Sequence, residues 1–105
     1  MDLKIGNIDH KVIKRKKVVD DDGTDCIGLI DSDQATIYIK KNLPHQVERQ
    51  TLIHEVMHGI MIASGFDFGD GIHSEDTVNR LGLTLDGFLK DNIDTIYKLY
   101  KKPLE

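Results

Sequence analysis

The sequence predicts an α+β fold: a small, twisted, mostly antiparallel sheet packed on a buried helix and on a second, C-terminal helix. Three observations predict it. The first forty residues hold short β-branched runs separated by turn signals. The stretch from His45 to Ser64 is apolar at helical spacing and is closed by Gly65. A second set, Val78, Leu81, Leu85, Phe88 and Leu89, recurs at intervals of three and four.

Taken in order, Lys11 to Val19 holds two β-branched pairs, Val12-Ile13 and Val18-Val19, around the basic cluster Lys14-Arg15-Lys16-Lys17. This cluster and the following Asp20-Asp21-Asp22 read as solvated faces of a hairpin or loop, and Asp22-Gly23 is a turn signal. Cys26 to Ile30 is a short apolar strand, Asp31-Ser32-Asp33-Gln34 a second turn, and Ala35 to Lys40 a second strand. Within it Ile37 and Ile39 share one face and Thr36, Tyr38 and Lys40 the other, so the short polar link makes a half-buried hairpin. Asn42 is the expected N-cap of the next helix, with Pro44 in its first turn. Its second half is apolar nearly all round, from Leu52 to Ala63, which predicts a buried helix. Gly65 to Gly71 is a loop. The second helix starts near Ser74, and Asn92 is a candidate break before Ile93, Ile96, Leu99 and Tyr100.

A length of 105 residues is one domain, residues 1–105, with room for one modest core. Charged residues make up 30% of the chain and the net charge is -4, which excludes a general nucleic-acid binder. One cysteine, Cys26, forbids an internal disulfide and reads as a small core residue rather than a nucleophile. The start, Met1-Asp2-Leu3-Lys4, lacks the pattern of a signal peptide, and the longest apolar run, Ile60 to Ala63, is too short to span a membrane. These features predict a cytoplasmic protein in a reducing compartment, without membrane partners.

The sharpest chemical signal is His54-Glu55-Val56-Met57-His58. Two histidines four apart on a helix project from one face, one turn apart, where both imidazoles reach one metal ion. Glu55 points beside such an ion, as suits a general base acting on water that the metal activates. Ionisable side chains in an otherwise apolar helix are expensive unless they are partnered. A catalytic zinc usually has three protein ligands and keeps a fourth position open. Ser64 stands where a third histidine of an extended motif would be, so the third ligand comes from elsewhere. The candidates are His73, Glu75 and Asp76, with His10 and His45 more distant and expected at the surface. Glu75 is favoured because it shares the inward face with Val78, Gly82, Leu85 and Leu89, while Asp76 aligns with Arg80 and Leu83. Glu75 also suits a first helical turn behind an N-cap at Ser74. His73 is an alternative ligand or an oxyanion donor, and Tyr38, Tyr97 and Tyr100 are weaker oxyanion candidates.

Thr36-Ile37-Tyr38-Ile39, Thr51 to Gly59 with its HEVMH, and Leu89-Lys90-Asp91-Asn92 resemble small phage- or prophage-encoded zinc metallopeptidases. Those follow a minimal gluzincin plan (HExxH followed by a glutamate) and are similar in style to the ImmA/IrrE-type metallopeptidases. The resemblance covers about residues 36 to 92. It implies Zn2+ held by His54, His58 and Glu75, with Glu55 as general base and acid. It also implies a peptide or protein substrate laid along the strand Ala35 to Lys40, and the host cytoplasm as the site of action. Hydrolysis of peptide bonds is the expected activity. The alternative is a metal-stabilised interaction module, such as a partner of a phage regulator, with little turnover.

Overall fold

The computed structural model describes residues 1–101. Six strands precede two helices: β1 (Asp2–Ile5), β2 (Ile8–Arg15), β3 (Val18–Val19), β4 (Asp25–Cys26), β5 (Gly28–Asp31), β6 (Thr36–Lys40), α1 (His45–Ala63) and α2 (Glu75–Tyr100). The fold is α+β, with a four-stranded mixed sheet in the order β1-β2-β6-β5 and a small β3-β4 ribbon. Strands β1 and β2 pair antiparallel, β2 and β6 pair parallel, and β5 and β6 pair antiparallel.

The β5-β6 hairpin matches the period-two reading, and Ile37 and Ile39 are buried at 0% and 1% exposure. They form the core with Ile5, backed by Val12, Ile30, Leu43, Leu52 and Val56. Strand β1 lies outside the expected elements. It joins β2 through Gly6 and Asn7, both at positive φ (57° and 70°), the two-residue turn whose twist suits a tight hairpin. The expected strand from Cys26 to Ile30 is divided at Ile27 into β4 and β5. His10 is buried, not superficial: β2 turns it to the same face as Val12, opposite Leu3, and its Nδ1 lies 2.9 Å from the Ile8 carbonyl. His45 is exposed.

The N-cap of α1 is Pro44, not Asn42. Asn42 stands at φ 64° in the turn that leaves β6, so its side chain is too early to reach the free N–H groups of the helix. Helix α1 is covered by the sheet on one side and by α2 on another, and Ile60 and Ala63 face outward. It is thus less buried than its apolar second half predicts, because only two layers lie on it. It ends in a Schellman motif: Phe66 N–H donates to Met61 C=O (2.9 Å) and Gly65 N–H to Ile62 C=O (3.0 Å), with Gly65 at φ 90°. Helix α2 begins at the Ser74 N-cap, whose hydroxyl accepts from Thr77 N–H. It continues past Asn92, whose amide donates back to Phe88 C=O at 2.9 Å, so Asn92 does not break it.

The basic cluster is partly engaged. Lys14 pairs with Glu48 at 2.6 Å, and the Arg15 guanidinium lies 4.2 Å over the Tyr38 ring. Among the described residues no helix is long and apolar enough to cross a membrane.

Candidate metal centre

Helix α1 presents His54 and His58 one turn apart toward the start of α2, and Glu75 is the first residue of α2. One turn of rise along α1 therefore spans one carboxylate. His54 Nε2 lies 3.2 Å from Glu75 Oε2, and His58 Nε2 lies 2.9 Å from Glu75 Oε1. The ligand atoms of the three residues all fall within 4.8 Å of one another. Donors around a tetrahedral zinc at roughly 2.0–2.1 Å stand about 3.3 Å apart, which is close to both His–Glu separations. Two imidazoles and a carboxylate are also the donor types that zinc accepts. The residues fit the ion.

Close helix packing brings the donors together. Gly82 sits against the backbone of His54, where an added Cβ would lie 3.6 Å from its Cα. One turn further, Arg49 Nε and Nη2 donate to both oxygens of Asp86 at 2.9 and 3.1 Å. Asp76 turns away and pairs with Arg80 at 3.2 Å, so it is not in the donor group.

His73 is completely buried behind His58 and is not among the three donors. Its Nε2 lies 2.8 Å from His58 Nδ1 and its Nδ1 lies 2.6 Å from the Phe66 carbonyl. Both its nitrogens are therefore engaged away from the donor triangle. Phe68 lies beside both rings, with centroids 5.6 Å from His58 and 5.1 Å from His73. The sequence marks His73 as ionisable and near the motif, but the closure of the loop on α1 has no local signature.

The three donors and Glu55 line one groove of about 970 Å3, bounded by β5, α1, the first turns of α2 and the Phe68 loop. None of the tyrosines lines it: Tyr38 lies under Arg15, and Tyr97 and Tyr100 are exposed on the far half of α2. Cys26 is half-buried at the groove wall rather than in the core, and burial, then the charge of Asp20, push its thiol up. That makes it a poorer nucleophile.

Glu55 is 7% exposed and lies under β5. Gly28 allows this approach: a Cβ there would come within 2.5 Å of Thr51 Cγ2 and 3.3 Å of the Glu55 carboxylate. Burial raises the Glu55 carboxyl to about 7, the neighbouring Glu75 charge adds to the rise, and the Ile30 backbone N–H opposes it. Burial pushes His58 below the ordinary histidine value; Glu75 opposes this, and His54 and His73 reinforce it. A neutral His58 has a lone pair to offer a metal.

The expected substrate strand differs from the observed edge. Strand β6 is paired on both sides, by β2 and by β5, so it offers no free backbone to a peptide. The sheet edge beside the groove is β5. Lys40 N–H donates to Ile27 C=O, so in the antiparallel ladder residues 27, 29 and 31 face β6 while Gly28 and Ile30 turn their backbone groups outward. Compared with known proteins, the chain matches no family model, no curated protein and no solved structure.

Proposed function

We propose that the chain is a zinc-dependent metallopeptidase of the minimal gluzincin kind, with Glu55 as general base. The observation that carries the reading is the convergence of His54, His58 and Glu75 within 4.8 Å beside a buried carboxyl group in the same groove. A zinc ion held there would supply a Lewis acid that acidifies water and polarises a carbonyl. Glu55, raised to about 7, is matched to proton transfer near neutral pH. It takes one proton from water, the hydroxide oxygen bonds to the peptide carbonyl carbon, and the C–N bond breaks as Glu55 returns that proton to the nitrogen. An extended peptide adds as a strand to β5, pairing with the outward backbone groups of Gly28 and Ile30. The single free thiol, Cys26, suits a reducing compartment, and the cytoplasm is the proposed location.

The test is metal analysis followed by cleavage of a peptide library read by mass spectrometry. Protein purified without chelators should carry about one zinc and cleave a subset of peptides. Glu55→Gln should keep the zinc and lose about 10²–10⁴-fold in rate. No uptake of any transition metal at neutral pH would sink the reading. Zinc binding with no cleavage would instead favour a metal-stabilised interaction module.

A further inference from the structure

We propose that His73 is a positioning residue that holds His58 with its Nε2 lone pair toward the metal, through a relay anchored on the Phe66 carbonyl. The inference rests on the metal-centre reading above and deepens it. Three contacts run in a line: Glu75 Oε1 to His58 Nε2 (2.9 Å), His58 Nδ1 to His73 Nε2 (2.8 Å), and His73 Nδ1 to Phe66 C=O (2.6 Å). Both ends of the line are acceptors. Between them stand two imidazoles, which carry two protons when neutral. Three contacts cannot be filled by two protons, so one contact needs another cation.

The Phe66 end needs a proton, because a carbonyl oxygen only accepts. His73 therefore carries its proton on Nδ1 and accepts at Nε2. His58 must then donate from Nδ1. That leaves the His58 Nε2 lone pair facing Glu75, the one contact without a proton and the one beside His54 Nε2. A metal ion at that point completes the line with every ring neutral and every contact satisfied.

The loop is built to hold this line. The stop at Gly65 brings Phe66 N–H to Met61 C=O and so anchors the residue whose carbonyl takes the His73 proton. Gly69 N–H donates to His73 C=O at 3.0 Å and His73 N–H to Asp70 C=O at 2.7 Å, closing the loop on His73. The His73 ring is fully buried, so water does not replace either partner.

The experiment joins nitrogen-15 NMR of the histidine side chains with zinc affinity by competition against a chromophoric chelator. In the zinc-loaded wild type, His73 should show a protonated Nδ1 and an unprotonated Nε2, and His58 a protonated Nδ1. His73→Phe, which keeps a ring of similar size but no nitrogen, should weaken zinc binding about 10–100-fold. His73→Gln, whose carbonyl can accept from His58 Nδ1–H, should recover most of that loss. A protonated Nε2 on His73, or a folded His73→Phe with zinc affinity within twofold of wild type, would overturn the proposal. If His73→Phe does not fold, the wild-type tautomers and the Gln variant decide. If the wild type takes up no zinc, the metal reading fails, and the His73 tautomer in the metal-free protein still reports whether the relay exists.

Discussion

Glu55 combines a catalytic position with a cost to the metal-free fold. Its carboxyl is raised from an ordinary value of 4.5 to about 7, by burial first and by Glu75 second. A carboxyl raised on folding contributes fully to stability below its unfolded value, and that contribution is lost as pH rises through the folded value. The window is therefore about pH 4.5 to 7. At about 1.4 kcal/mol per unit the full loss is at most about 3 kcal/mol. Chelator-treated Glu55→Gln should thus gain about 2–3 kcal/mol relative to wild type between pH 4.5 and pH 8 in urea unfolding. A gap that does not widen over that range would show that Glu55 is not buried as described. The buried His58 acts in the opposite direction: its lowered value removes stability as pH falls below 6.5.

Between the helices, the pair Arg49–Asp86 sets the approach that lets Glu75 reach both histidines. Asp86 is 4% exposed, while the Arg49 side chain keeps about a third of its surface. The two partners are therefore unequal. Arg49→Met leaves a buried carboxylate without a partner and should cost about 3 kcal/mol. Asp86→Asn keeps one acceptor for a guanidinium that water already reaches and should cost about 1 kcal/mol. Paired urea denaturation curves check the order, and equal costs would mean that Asp86 is solvated. Glycine at position 82 belongs to the same contact, since it allows α2 to lie against the His54 backbone.

The whole molecule measures 53 × 33 × 24 Å. A 26-residue helix is about 39 Å long, and α2 extends well past its contact with α1. Beyond Leu89 only Asn92 and Ile96 are half-buried, while Ile93, Tyr97, Leu99 and Tyr100 are exposed. The core under the sheet is correspondingly small, centred on Ile5, Ile37 and Ile39. An ion held by both helices should therefore carry a large share of the stability. Zinc at a thousandfold excess over its Kd should stabilise the protein by about 4 kcal/mol. Glu75→Ala, which removes the only α2 donor, should reduce that gain sharply while leaving the zinc-free melting temperature near wild type, because Glu75 is exposed. A thermal melt with and without zinc measures both, and an unchanged gain would move the site elsewhere.

What the sequence by itself determined is what repeats locally. The period of two in Thr36 to Lys40 placed Ile37 and Ile39 inward. The spacing of four between His54 and His58 put two donors on one face of a helix. The step of three from Glu75 to Val78 separated Glu75 from Asp76, which pairs with Arg80 instead. Asn42 was misplaced as a cap because a left-handed turn and a cap favour the same residue. Only the tertiary structure decided the rest. The parallel pairing of β2 with β6 joins strands about 25 residues apart in the chain, and it takes from β6 the free edge that its own alternation cannot deny it. That pairing moves the open edge to β5. The relay from His58 through His73 to Phe66 likewise depends on a loop folding back onto α1. Hydrogen bonds of this kind are set by where the chain closes in space, and no period along the sequence encodes that closure.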